Sequence, residues 1–322
     1  MTTRTSSTPP QEPDSTPTHP DRIGLSGPGD LIAALPGLMG FVPEESLVLI
    51  LLGGSSGREV VATMRLDLPP VLQKPHVFEP LAERLHDMYQ DEGPFDLMLV
   101  LIDAAWDGER GAPEACHTYL LGELAQYLSA GPIDFRGAFV TASVTGGARW
   151  AELPDGERSG LVPDPRASDV NASHVLQGRT IHASRADLEA MLRPGPPAER
   201  DELFHEIGRC AGRVLTERLI GGGDARAREF ADVMRAMELV QAGELPDRRL
   251  LARSALAIAC SEIRDVLLGL AIGRCAGPAQ ELWALLARRL DGVLRAEAAP
   301  LFAVCAYASG DGASVGVAVD AA

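Results

Sequence analysis

Residues 46–52 of this 322-residue chain read Ser-Leu-Val-Leu-Ile-Leu-Leu, and residues 58–67 read Arg-Glu-Val-Val-Ala-Thr-Met-Arg-Leu-Asp. A continuous apolar run of seven residues has the length and composition of a buried strand. Between the two runs, residues 53–57 are Gly-Gly-Ser-Ser-Gly, which permits a tight reversal of the chain. The two runs therefore predict a β-hairpin.

Further strands and amphipathic helices surround this hairpin. Helical patterns cover residues 30–39, 76–90 and 113–128, a buried strand covers 95–102, and a second hairpin pairs 135–144 with 148–153. A Pro- and Asp-rich loop at 154–168 is followed by two short helices at 171–177 and 184–192. The order α-β-β-α-β-α-β-β predicts an α/β domain with a mixed sheet and covering helices.

The chain divides by composition into four segments. Residues 1–22 hold five prolines and no aliphatic residue beyond Met1, which predicts a disordered tail. The α/β domain spans 23–193, and a Pro/Gly linker occupies 194–198. From 199 to 322 apolar residues recur every three or four positions, with stops such as Gly221-Gly222-Gly223. This pattern predicts an all-α C-terminal helical domain.

Charge and lysine content exclude several classes of protein. The net charge of -16 disfavours binding to nucleic acid or anionic lipid, and no basic patch is segregated. Of 29 basic residues, only Lys74 is a lysine, and it has no glycine-rich loop, which excludes a P-loop ATPase. The apolar stretch 31–52 is interrupted by Pro36 and Pro43, and residues 1–22 lack a secretory apolar core. We therefore expect a cytoplasmic protein with no membrane and no nucleic-acid partner.

Metal and cofactor signatures are incomplete. The five cysteines are widely spaced without a C-x-x-C, so they indicate neither a disulfide framework nor a zinc site. The element order matches zinc-dependent cytidine deaminases, but their H-x-E and P-C-x-x-C motifs are broken around His76 and around Cys116 and His117. His205-Glu206 begins an H-E-x-x-H pattern that ends on Arg209 instead of histidine. We expect no metal and no cofactor.

Three residues are candidates for a ligand or catalytic site. Asp103 ends a buried strand, where open sheets bind ligands, although aspartate there is also a common turn or cap residue. Arg149 and Arg185 offer planar guanidinium groups suited to a carboxylate or phosphate. For Arg149, and for Arg264 next to Asp265, the default interpretation is a structural ion pair.

Several ordered pieces resemble one family. They are residues 35–48, 147–150, 178–179, 183–188, 263–268 and 307–313. Together they are similar to the pattern of an actinobacterial family known only as domain of unknown function 4192. The family-pattern residues, all of unknown role, are Pro36, Gly40, Phe41, Pro43, Ser46, Trp150, Arg264 and Asp265. The chain departs from the pattern at Ala148, an insertion, and in lacking a cysteine between 151 and 170, so a metal or redox role there would fail in this member.

The resemblance implies no activity, and no catalytic motif is intact. The favoured hypothesis is a non-catalytic cytosolic protein that acts through partner or ligand binding. The alternative is an enzyme or small-anion binder with a strand-end pocket near Asp103, with Arg149 or Arg185 holding the anion.

Overall fold

The computed structural model describes residues 23–53, 59–68, 78–89, 95–108, 113–128 and 133–322. The predicted disordered tail at 1–22, the first hairpin turn, Lys74 and His76 lie outside the described residues.

Within the described residues, six strands form one mixed sheet in the order β2-β1-β3-β4-β5-β6. The strands are β1 (Ser46–Gly53), β2 (Glu59–Asp67), β3 (Phe95–Ile102), β4 (Ile133–Thr141), β5 (Arg149–Leu153) and β6 (Ser159–Leu161). Only β3 and β4 pair in parallel; the other four pairings are antiparallel. The predicted mixed sheet is confirmed, and the two segment pairs expected to form hairpins are antiparallel neighbours.

The short strand β6 corrects the expectation of a loop over residues 154–168. Gly160 of β6 pairs with Trp150 of β5. A Cβ at position 160 would lie 3.0 Å from the indole ring, so the glycine lets β6 pack closely against Trp150. Three residues with a central glycine carry no strand signal in the sequence.

Alternation along the strands gives the sheet two buried faces. Leu47, Leu49 and Leu97 face one apolar cluster with helices α2 (Phe78–Tyr89) and α3 (Ala115–Leu128). Val48 and Val100 face a second cluster that includes helix α1 (Pro28–Met39). Two short helices, α4 (Asp169–Leu176) and α5 (Arg185–Ala190), complete this half of the chain.

The remaining chain is helical. Its helices are α6 (Pro197–Gln241), α7 (Arg248–Ile258), α8 (Ser261–Leu267), α9 (Ala276–Arg289), α10 (Gly292–Ala308) and α11 (Gly312–Ala321). Gly222 interrupts α6 with φ 48° and ψ -123°. Arg218 and Glu229 form two hydrogen bonds of 2.8 and 2.6 Å across it, although eleven residues of straight helix would separate them by about 16 Å. The chain therefore folds back at Gly222, which confirms the predicted helix stop at 221–223.

The two halves of the chain share one buried apolar cluster. It contains Val48 and Val100 of the sheet together with Leu203, Trp283 and Phe302 of the helical region. The division into domains at 194–198 stays a prediction. Among the helices that the structure describes, none is both long and apolar enough to cross a membrane.

Candidate functional site

Asp103 lies buried at the carboxyl end of β3, with both side-chain oxygens hydrogen-bonded. Oδ1 accepts the N–H of Ala105 at 2.9 Å, and Oδ2 lies 2.7 Å from Nε2 of His117. His117 is fully buried, and its Nδ1 accepts the N–H of Glu114 at 3.3 Å, so Nε2 carries the proton donated to Asp103. These bonds join the end of β3 to the start of α3. A catalytic role for Asp103 stays a prediction.

Arg149 and Arg185 lie in different places. Arg149 is exposed at the start of β5, and its carbonyl accepts the hydroxyl of Thr141 at 2.8 Å. Thr141 in turn accepts the N–H of Asp103 through its own carbonyl, so Arg149 and Asp103 share one neighbour. Arg185 forms ion pairs with Glu189 at 2.8 Å and with Asp320 at 3.7 Å. A ligand-binding role for either arginine stays a prediction.

Helix α1 is held by a buried amide from α4. Asn171 Oδ1 accepts the N–H of Gly37 at 2.7 Å, and Nδ2 donates to the carbonyl of Ala33 at 2.9 Å. In a regular helix the N–H of Gly37 would donate directly to the carbonyl of Ala33. Here the side-chain amide of Asn171 stands between these two groups and bonds to both. The preceding residue, Pro36, has no N–H to contribute there. A Cβ at Gly37 would lie 2.4 Å from Asn171 Oδ1, so this close approach requires glycine.

The end of α1 connects to the segment that follows α4. Gly40 ends the helix in the left-handed conformation, with φ 73°. Its carbonyl accepts the N–H of His182 at 2.8 Å, and the His182 carbonyl accepts the N–H of Val42 at 3.0 Å. A Cβ at Gly40 would lie 3.6 Å from the carboxylate of Asp311. The family pieces 35–48 and 307–313 therefore lie close together here, and Arg179 of the piece 178–179 bonds to Gly310 of the latter.

A cavity of about 770 Å³ opens beside this meeting point, and we call it the junction cavity. It is bounded by residues 177–182, residues 243–245, one face of α9, and residues 309–314. On α9 the lining residues include Gly277, Glu281, Ala284 and Arg288, whose spacing of three or four places them on one helix face. Its size is that of sites for small organic ligands, about 300–1,000 Å³.

Two side chains near residue 179 stand out: Arg179, which lines the cavity, and His174, which lies buried behind it. Arg179 donates from Nη1 to the carbonyl of Gly310 at 3.3 Å and from Nη2 to Oε1 of Gln177, while its buried Nε has no hydrogen-bond partner. His174 is buried, with only 4% of its surface exposed. Burial and the positive charge of Arg179 lower the pKa of His174, so it is neutral at pH 7.

The other family-pattern residues have contacts that support the fold. Ser46, fully buried, donates to the carbonyl of Glu44 and accepts from Nε of Arg65 at 2.6 Å. Trp150 packs edge-on against Phe139, with ring centroids 5.8 Å apart. Arg264 forms an ion pair with Glu297, which agrees with the default interpretation of this arginine. Of the remaining ones, Phe41 is buried, Pro43 is buried, and Asp265 is exposed.

The cysteines and histidines of the described residues do not assemble a metal site. No group of three or more His, Cys, Asp or Glu side chains in these ranges is arranged to hold a metal ion. Cys116 is exposed, whereas its neighbour His117 is fully buried. Cys210 and Cys305 are buried, and Cys260 and Cys275 are half-buried, in agreement with packing roles.

Sequence analysis did not select Asn171, His174 or Arg179 as candidate site residues. In the sequence, Asn171 was recognised only as the first residue of a predicted short helix, and Arg179 only as part of a family piece. The partner of Asn171 on α1 lies 134 residues away, and the carbonyl bonded to Arg179 lies 131 residues away. No local pattern encodes contacts at such separations. The family pieces were the one available signal, since residues of two of them, 178–179 and 307–313, line the junction cavity.

Comparison with known proteins gives one match. Neither the curated proteins nor the solved structures contain a match to this chain. The family model for the domain of unknown function DUF4192 matches residues 28–322, which is nearly the whole chain and includes every piece described above. The chain belongs to the DUF4192 family.

Proposed function

We propose that this protein is a ligand-binding protein that takes a small molecule into the junction cavity. The observation that carries the proposal is this cavity itself, whose wall includes residues of the family pieces 178–179 and 307–313. These two pieces are joined by the hydrogen bond from Arg179 to Gly310, 131 residues away, and the space beside them is large enough for a small organic ligand.

The composition of the wall supports the same proposal. Small residues of α9, Gly277 and Ala284, leave room, while Arg179, Glu281 and Arg288 supply polar groups. Concave sites that combine apolar surface with a few polar groups are the usual form of small-molecule sites.

The alternative, an enzyme with a strand-end pocket at Asp103, has less support. Both oxygens of Asp103 already accept hydrogen bonds, and its partner His117 is fully buried. A substrate would have to displace these bonds before it reached the carboxylate.

Native mass spectrometry of protein purified from its host tests the proposal. We expect a small-molecule adduct that is absent from the variant Gly277→Phe, whose new side chain enters the cavity. A Cβ at 277 meets no atom within 4 Å, so the backbone tolerates the change. Gly208→Phe is the matched control, because Gly208 is equally open and lies outside the cavity. An adduct that survives Gly277→Phe, or no adduct on any variant, would reject the proposal.

A further inference from the structure

Arg179 differs from most of the half-buried arginines that the structure describes in having no carboxylate partner. Arg218 binds Glu229, Arg253 binds Asp232 and Glu217, and Arg264 binds Glu297. Arg179 is also half-buried, but its hydrogen bonds go to a backbone carbonyl and an amide, and no described carboxylate lies within 4.0 Å.

A second arginine, Arg295, also bonds only carbonyls. Its Nε and Nη2 both have partners, the carbonyls of Ala321 and Leu192, and it lies outside the junction cavity. Like Arg295, Arg179 has no carboxylate partner among the described residues. Unlike Arg295, it also has an unpaired Nε and a place on the cavity wall. A partly buried cation without a counter-charge is costly, and an anionic ligand removes that cost.

Arg218 shows how this chain binds a carboxylate with arginine. Its Nε and Nη2 form one edge of the guanidinium and donate to the two oxygens of Glu229 at 2.8 and 2.6 Å. On Arg179 the same edge has an unpaired Nε, while Nη2 donates to Oε1 of Gln177. Gln177 is exposed, so its amide is free to move aside. An oxyanion in the place of the Gln177 amide would accept hydrogen bonds from both Nε and Nη2. This bidentate arrangement is the strong form of arginine–anion pairing.

Among the described residues, none of the other charged side chains of the cavity forms an ion pair with Arg179. Asp311 uses Oδ1 to accept the N–H of Ser314 and cap α11. Glu244 and Glu281 are exposed, and Arg288 on α9 adds a second exposed cation to the same wall.

We propose that the ligand of the junction cavity carries an oxyanion, a carboxylate or a phosphate, which displaces the Gln177 amide and binds the Nε–Nη2 edge of Arg179. This inference rests on the proposed function, because both concern one cavity.

The test uses inorganic phosphate and acetate as probes, titrated into the full-length protein at constant ionic strength set with NaCl. The thermal midpoint gives an apparent Kd, since a ligand that binds only the folded state raises it by mass action. We expect phosphate or acetate to stabilise the wild type saturably beyond the NaCl control. Arg179→Gln should weaken the apparent Kd by about tenfold or more. Arg158→Gln, an exposed arginine paired with Glu152, is the matched control and should leave it unchanged.

Gln177→Ala keeps the proposal testable if Arg179→Gln fails to fold. Removal of the competing amide should tighten the apparent Kd by a few-fold, the opposite of the arginine variant. No stabilisation beyond NaCl, an equal Kd in Arg179→Gln, or a weaker Kd in Gln177→Ala overturns the inference. A neutral native adduct that is lost in Gly277→Phe overturns it as well but leaves the ligand-binding function standing, so the two failures are distinguishable.

Discussion

Gly37→Ala reverses the usual effect of replacing a helical glycine. In the interior of a helix, alanine is normally more stable than glycine by about 1 kcal/mol. At position 37 the new Cβ would lie 2.4 Å from Oδ1, 2.9 Å from Cα and 3.1 Å from the backbone nitrogen of Asn171. A side-chain rotation of Asn171 cannot relieve contacts with its own backbone. Helix α1 and helix α4 therefore have to move apart.

The expected cost follows from these contacts. Overpacking in a rigid interior costs about 1–3 kcal/mol. Separation of the helices also weakens the two hydrogen bonds between Asn171 and α1, each of which contributes about 1 kcal/mol. After subtraction of the helix-propensity gain, Gly37→Ala should lower the free energy of unfolding by about 2–4 kcal/mol.

Urea denaturation followed by circular dichroism measures this difference. The matched control is Gly212→Ala in α6, where an added Cβ meets nothing within 4 Å and the substitution should stabilise by up to about 1 kcal/mol. If both variants shift the urea midpoint upward, the close approach of Asn171 to Gly37 is absent in solution and the reasoning fails.

Three further outcomes follow from buried ionisable groups. Burial lowers the pKa of His174, so the unfolded chain binds more protons, and stability should fall as the pH drops through about 6.5. His174→Gln should flatten that part of the urea-midpoint profile, and an unchanged profile would contradict the assignment. Glu229→Gln should lower the free energy of unfolding by about 2–3 kcal/mol, because it leaves Arg218 without its counter-charge. A loss below 0.5 kcal/mol by urea titration, about the level of an exposed pair, would refute this. Burial raises the pKa of Cys305 to about 11, so iodoacetamide at pH 8 should label the exposed Cys116 well before Cys305, as peptide mass spectrometry will detect. Equal labelling rates in the folded protein would show that Cys305 is accessible.

Much of the fold was predictable because its signals are local. The apolar run at 46–52, the glycines at 221–223 and the three- to four-residue periodicity after 199 each act over one element. They identified strands, the helix reversal at Gly222 and the mixed α/β class. The prediction failed at β6, where Gly160 pairs with Trp150 and packs against its ring, a contact between two strands that no local pattern shows.

The candidate site, in contrast, was not predictable from local signals. The sequence directed attention to Asp103, Arg149 and Arg185 by residue type and position, and these three do not line the junction cavity. The residues at its wall, such as Arg179 and Asp311, appeared in the sequence only as members of a family pattern. Whether such a side chain is free to bind a ligand depends on the charged groups beside it, and the packing of the chain decides which groups those are.

The sequence by itself determined most of the elements and the family, since periodicity, turn residues and family motifs act within a few residues. Only the tertiary structure decided that Gly37 and Asn171 meet and that Arg179 and Asp311 line one cavity. It also decided that Arg179, unlike Arg218, has no carboxylate partner among the residues that the structure describes. The physical reason is that a side chain is paired or unpaired according to neighbours more than a hundred residues away, and the sequence does not specify those neighbours until the chain has folded.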